Sequence, residues 1–323
     1  MKVLVTGGAG FIGSHVCDAL LDRGDTVICV DNFNDYYDVS FKESNISHHK
    51  DDKDFILYRE DITDLASMHA IFEKELPDKI IHLAARAGVR PSISQPFLYE
   101  KVNITGTLNL LELSKEFSVK NFVYASSSSV YGGNKKVPFS ESDPVDNPVS
   151  PYAATKKSCE LLCHAYHHLH NLNITCLRFF TVYGPRGRPD MAPYLFTEWV
   201  HEGKPIKRFG PGTSKRDYTF VSDIVSGMIG VLDKDFSFEI LNLGNSQTVE
   251  LNYFISVIEG LLGKKAVIEQ HPEQPGDVPI TYADISKAKK LISFSPSTTI
   301  EEGMKMFIDW YIKERAGKDE GSD

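Results

Sequence analysis

The apolar run KVLVT, Lys2 to Thr6, leads directly into GGAGFIGSH, with glycines at Gly7, Gly10 and Gly13. A strand, a glycine turn and a helix in that order leave a chain few folds to adopt. The glycines permit a tight turn, close approach of a pyrophosphate to the backbone, and close packing of helix on strand. The helix start adds unpaired N–H groups and partial positive charge. Gly8-x-Gly10-x-x-Gly13 overlaps the wider spacing. A bare structural turn is the alternative, and the strand–turn–helix setting favours a dinucleotide cradle. Phe11 and Ile12 lie within it.

The remaining pattern extends this reading. Strand-like runs recur at 26–30, 55–58, 80–83, 121–125 and 174–179, with helical spacing at 13–23, 64–75, 102–116 and 152–170. Strands alternating with helices predict an α/β fold, a Rossmann-type doubly wound parallel sheet. Residues 1–180 form the dinucleotide domain. After Phe180, Pro/Gly-rich loops predict a smaller C-terminal α/β lobe over 181–323, with 221–245 returning to the sheet. The polar segment from Tyr36 to Lys53 reads as a solvated loop or helix face, and the tail from Gly317 as disordered.

Asp31 ends the second strand, 18 residues after Gly13. A carboxylate there accepts hydrogen bonds from ribose hydroxyls and repels a 2′-phosphate, so the cofactor expected is NAD. Asn32 and Phe33 supply no cation. Asp61 and Ile62, after the third strand, would frame the adenine.

The formal net charge of −9 argues against nucleic acid or an acidic membrane as partner. No apolar run is long enough to span a bilayer. The first residues enter a strand at once, so no secretory signal is expected. Five cysteines within apolar patterns suit reduced thiols and a cytoplasmic location.

YASSSSVYG, Tyr124 to Gly132, ends an apolar strand in four serines. SPYAATKKS follows, with Ser150 suited to an N-cap and Pro151 to the first helical position. Tyr152 and Lys156 then share one helix face. A lysine beside a phenol favours the phenolate, making Tyr152 a proton acceptor. Cys159 and Cys163 continue the same spacing into the core. His164, His167, His168 and His170 crowd the helix end, where cations suit the dipole. No metal is expected there.

TGGAGFIG, the serine strand end and Tyr152-x-x-x-Lys156 resemble the extended short-chain dehydrogenase/reductases along nearly the whole chain. HLAARAGVRPS (His82 to Ser92), VNITGTLNLLE (Val102 to Glu112) and RFFTVYGPRGRPDMAP most resemble the UDP-glucuronate 4-epimerases within them. The resemblance implies a redox-neutral reaction on UDP-glucuronate and UDP-galacturonate. Tyr152 takes the 4-hydroxyl proton, hydride passes to NAD, the 4-keto sugar turns, and hydride returns to its other face. Ser127 would bond O4 and Lys156 the nicotinamide ribose. Leu83, Ala84, Ala85, Asn103 and Phe179 join the cofactor site by the same resemblance, and a homodimer is implied.

Specificity is read from substitutions within these motifs. Thr181 stands where UDP-galactose 4-epimerases usually have Asn, and a small hydroxyl suits a C6 carboxylate. Ser128 and Ser129 offer further donors. Arg188, among glycines and prolines, offers a planar fork for an anion, here assigned to the carboxylate. Ser129 also stands where related decarboxylases and 4,6-dehydratases carry an acid, so epimerisation is favoured. Arg216, Asp277 and Arg90 would serve the uridine diphosphate end. The alternatives are a UDP-glucose or UDP-N-acetylhexosamine 4-epimerase, a UDP-glucuronate decarboxylase, or a non-enzymatic NAD-binding regulatory module.

Overall fold

In the computed structural model, which describes residues 1–272 and 279–316, the apolar runs become strands β1 (Lys2–Thr6), β2 (Thr26–Val30), β3 (Phe55–Tyr58), β4 (Lys79–His82), β5 (Asn121–Ser127) and β6 (Ile174–Phe179). Shorter strands follow: β7 (Thr181–Tyr183), β8 (Pro205–Phe209), β9 (Lys215–Arg216) and β10 (Tyr218–Phe220), then β11 (Phe238–Leu243). The helices up to this point are α1 (Phe11–Asp22), α2 (Val39–Ile46), α3 (Leu65–Glu75), α4 (Val89–Ser94), α5 (Pro96–Tyr99), α6 (Gly106–Glu116), α7 (Pro151–His170), α8 (Ala192–Glu202) and α9 (Val221–Leu232).

Seven strands form one sheet in the order β11-β6-β5-β4-β1-β2-β3, and every pairing is parallel. Chain order reverses on either side of β1, and a crevice opens there beyond the strand ends. Thr6 lies level with Val30 and His82, and His82 with Tyr124. β5 continues past that level to Ser127, which lifts the serines into the crevice.

Alternation along each strand sends side chains to two apolar layers, as in a sheet covered on both faces. Val3 and Val5 join the layer built on α1 and α9 through Val16, Leu20, Ile224 and Met228. Leu4 joins the opposite layer with Met68, Phe72, Leu110, Cys159 and Cys163. Those two cysteines are thus core residues, fully buried.

Two elements depart from the sequence reading. The helix expected from 102 begins with a π-helical stretch, Glu100–Thr105, before α6. The polar segment read as solvated contains α2, whose Lys42 and Asn45 are buried. Asn45 donates to the Ala9 carbonyl at 3.0 Å, so α2 docks on the glycine turn. Its polar residues reach inward because their partners there are polar, and hydrophobic periodicity cannot report that.

Candidate active site

The glycine turn builds one end of the crevice. Gly7 has φ +71, and its N–H donates to the Val30 carbonyl at 2.7 Å. Gly10 is the N-cap of α1, with no side-chain cap, so the helix start faces the cavity formed by Gly7, Gly10, Phe11, Ile12 and Gly13. A Cβ at Gly13 would stand 2.1 Å from the Gly7 carbonyl oxygen, and one at Gly7 2.8 Å from the Ala84 nitrogen. Only glycine keeps this turn tight against α1 and against Leu83, Ala84 and Ala85, which line the other side of the switch point. Exposed backbone donors in a close-packed cradle fit a pyrophosphate.

Asp31, Asn32, Asp61 and Ile62 line the next part of the wall. Asp31 Oδ1 accepts from the Phe33 N–H at 2.9 Å and from Lys42 Nζ at 2.9 Å. The sequence reading found no cation near Asp31. Lys42 supplies one, from the polar segment read as solvated, and it lines the cavity together with Tyr36 and Tyr37. Asn32 Nδ2 donates to Asp61 Oδ2 at 2.7 Å. Burial raises the Asp61 pKa, but the Thr63 amide and Asn32 outweigh it and hold the carboxyl below its usual range.

Beyond the sheet, α7 meets the end of β5. Ser150 caps α7 by accepting from the Ala153 N–H at 3.1 Å, which sets Tyr152 at the cavity and Lys156 one turn deeper. Lys156 Nζ donates to the Ala125 carbonyl at 2.7 Å and lies 5.0 Å from the Tyr124 ring centre. Ser127 Oγ sits 2.6 Å from Ser129 Oγ and accepts from the Ser129 N–H at 3.2 Å. Ser127, Tyr152, Lys156 and Phe179 share one cavity with the glycine cradle.

Below them, Ser126 Oγ donates to Glu160 Oε1 at 2.6 Å, and Arg178 grips Glu160 through Nε and Nη2, both at 2.9 Å. This buried fork fixes α7 to β5 and β6. Asn103 lies behind the wall, its amide bonded to the backbone of Arg86 and to Thr155 Oγ1, and so it shapes the loop after β4.

The two arginines of the 184–191 loop part company. Arg186 Nη1 donates to Asp18 Oδ2 at 2.7 Å, pinning the loop to α1. Arg188 lines the cavity and pairs with Asp190 through Nε at 2.9 Å and Nη2 at 2.5 Å. Burial opposes its charge, but the Asp190 carboxylate outweighs this and holds the guanidinium fully cationic. Its carbon lies 5.3 Å from the Tyr36 ring centre.

Ser128, Ser129, Thr181, Arg90 and Arg216 stand outside the wall of this cavity. Thr181 opens β7, its N–H donating to the Asp217 carbonyl. Arg90 lies over the Phe209 ring at 5.8 Å. Arg216 is on β9, with Nη1 donating to the Lys215 carbonyl at 3.0 Å. Asp277 falls outside the described residues. Sequence reading missed Tyr36, Tyr37, Lys42 and Met191 on the wall. The tyrosine pair shortly after Asp31 was the available signal.

A family model described as GDP-mannose 4,6 dehydratase matches residues 4–307. The UDP-glucuronate 4-epimerase of Thermodesulfobacterium geofontis is 50% identical over 308 residues, 95% of each chain. Protein CapI of Staphylococcus aureus is 44% identical over 331 residues, covering 97% of this chain and 99% of that one. Among solved structures, the UDP-glucuronic acid 4-epimerase of Bacillus cereus, in complex with UDP-glucuronic acid and NAD, matches with a TM-score of 0.90 at 38% identity, over 97% of this chain and 99% of that one. The UDP-glucose 4-epimerase of Thermotoga maritima, with UDP-glucose, matches with a TM-score of 0.88 at 34% identity, over the same shares.

Proposed function

The chain belongs to the extended short-chain dehydrogenase/reductases, and from that premise we infer that it is an NAD-dependent 4-epimerase interconverting UDP-glucuronate and UDP-galacturonate. The observation that carries the reading is one cavity holding the glycine cradle, the Ser127–Tyr152–Lys156 group and the Arg188 guanidinium together.

The roles combine a place on the cavity wall, where a residue has one, with the family resemblance. Gly7, Gly10 and the open start of α1 hold the pyrophosphate, and Asp31 takes the adenosine ribose. NAD, when bound, supplies a hydride acceptor that is restored within each turnover. Tyr152 accepts the proton of the sugar 4-hydroxyl and returns it after the 4-keto sugar has turned. Lys156, anchored on the Ala125 carbonyl, keeps a positive charge one turn from that phenol. Ser127 holds O4 by a hydrogen bond. Arg188 meets the C6 carboxylate, with Thr181, Ser128 and Ser129 as further donors. Arg90 and Arg216, which stand outside this cavity's wall, and Asp277 are assigned to the uridine diphosphate by the family resemblance alone.

Oxidation of a uronic acid at C4 produces a β-keto acid, which loses CO2 readily. Loss of water across C5 needs a base beside that carbon. The side chain before Val130-Tyr131-Gly132 is the hydroxyl of Ser129, bonded to Ser127, and it offers no such base. Elimination at C5, the step of a dehydratase, is therefore disfavoured although the matching family model is described as one, and the choice of epimerisation over decarboxylation rests on the 4-epimerase relatives. Five free, buried thiols suit a reducing cytosol. Phe97, Leu161 and Leu169, exposed at 87%, 59% and 68%, are the surface on which a homodimer would form.

The deciding experiment is incubation of the purified protein with UDP-glucuronate and no added NAD, followed by NMR of the product. UDP-galacturonate supports the reading and a retained cofactor together. UDP-xylose or a UDP-4-keto-pentose would replace it with a decarboxylase. Turnover of UDP-glucose but not UDP-glucuronate would move the protein to the neutral-sugar epimerases.

A further inference from the structure

Away from the cavity, two histidines that the mechanism does not use converge on one carboxylate oxygen. His48 and His49 form the single 3-10 turn that follows α2. His48 Nε2 lies 3.0 Å and His49 Nε2 2.7 Å from Oδ1 of Asp18 on α1. We propose that Asp18, His48 and His49 form a binding site for a divalent transition-metal ion of the Zn2+ type.

The ligand set suits that class of ion. Two imidazole nitrogens and one carboxylate oxygen are the donors Zn2+, Co2+ or Ni2+ prefer, whereas Mg2+ and Ca2+ take oxygen. The three donor atoms all lie within 4.8 Å of one another. An ion bonded at about 2.1 Å to each, in tetrahedral geometry, sets its donors roughly 3.4 Å apart. The two histidine–carboxylate separations, 3.0 and 2.7 Å, need to open by only a fraction of an ångström. The imidazole rings are 3.9 Å apart, centre to centre, and present both Nε2 atoms to the same point.

The surroundings orient the donors. Arg186 occupies the other oxygen, Oδ2, at 2.7 Å, which fixes the carboxylate and leaves Oδ1 to the histidines. Partners of this outer kind set ligand direction and tune affinity. The His49 ring packs 5.2 Å from that of Phe55, and its side chain is 12% exposed. The His48 side chain is 46% exposed, so this flank is open for the ion to enter and for water to complete its shell. His15, one turn before Asp18, donates to the Pro185 carbonyl and does not compete for Oδ1. Without an ion each imidazole donates its Nε2–H to Asp18. On binding, that proton moves to Nδ1 or to solvent, and the Nε2 lone pair takes the metal.

The place gives the ion a consequence. The three ligands join α1 to the end of α2, the helix that brings Lys42 to Asp31. Asp18 also anchors Arg186, two residues from Arg188. A bound ion would brace both segments flanking the cavity.

The test uses the NAD-loaded protein without a polyhistidine tag, stripped by chelator and titrated with Zn2+ by calorimetry and with Co2+ by absorption. The expected result is one ion per chain, with Co2+ d–d bands and no thiolate charge-transfer band. His48→Gln and Asp18→Asn should each weaken binding about tenfold or more, and Arg186→Gln by up to about tenfold, with unchanged circular dichroism. Absence of stoichiometric binding, affinity indifferent to these substitutions, or a thiolate band pointing to the buried cysteines would each overturn the assignment.

Discussion

Lys42 Nζ stands 2.9 Å from Asp31 Oδ1, and both side chains are almost wholly buried, at 7% and 4% exposure. The residue expected to select against a 2′-phosphate therefore carries its own counter-ion. Removal of one partner leaves the other charge buried and unpaired. Asp31→Ser should free Lys42 to meet a 2′-phosphate, so NAD binding weakens by tenfold or more while NADP binding strengthens. Asp31→Ser combined with Lys42→Met should bind neither well. Titration of both nucleotides by protein fluorescence checks this, and an unchanged NAD/NADP ratio in Asp31→Ser would refute it.

Tyr152→Phe removes one oxygen and keeps the ring, which packs edge-on to Tyr99 at 6.2 Å. Turnover of UDP-glucuronate should fall by about 10²–10⁴-fold, with NAD content unchanged. A pure binding module would show no such loss in its function, so the pair of readouts also tests whether the chain is an enzyme.

Arg188→Gln should raise KM for UDP-glucuronate by about tenfold to a hundredfold, the loss expected for one charge-assisted hydrogen-bonding partner. KM for UDP-glucose, where turnover is measurable, should change far less. Equal effects on both substrates would assign Arg188 to the diphosphate instead.

Glu160→Gln should lower the unfolding free energy by about 3–5 kcal/mol, because Arg178 and Glu160 are each 1% exposed and the arginine charge would lose its partner. Burial raises the Glu160 pKa, but Arg178 outweighs it, and the carboxyl ends below its usual value. With a depressed folded pKa, this stabilisation is complete above the unfolded value and is lost as pH falls through the folded one. Urea unfolding of the two proteins across that acid range checks both the size and the direction.

His82 provides a second pH signature. Burial, then the nearby Lys156 charge, lowers its pKa to about 3, while Thr6 and Thr107 satisfy its two ring nitrogens at 2.7 and 2.9 Å. Between an unfolded value of about 6.5 and the folded one, the unfolded chain binds more protons. Stability should therefore decline as pH drops from about 6.5 towards 3, and the slope should flatten in His82→Gln. Thermal unfolding over that range measures it.

Much of the machinery was legible in the sequence because it depends on short-range rules. Gly7, Gly10 and Gly13 announce a turn that side chains would block, and Tyr152 and Lys156 share a face by helical spacing alone. Strand runs such as Thr26–Val30 and Ile174–Phe179 matched because burial on both faces demands continuous apolar residues. Lys42 escaped because an inward-facing lysine on a polar helix looks like a solvated one until its partner is placed. The sequence by itself determined the order of the main strands and helices, the glycine turn, and the shared helix face of Tyr152 and Lys156. Only the tertiary structure placed Arg186 on Asp18 of α1 and decided which charges, Lys42 with Asp31 and Arg178 with Glu160, are paired inside. Those choices rest on contacts between segments distant in the chain, where desolvation and geometry act and local pattern has no reach.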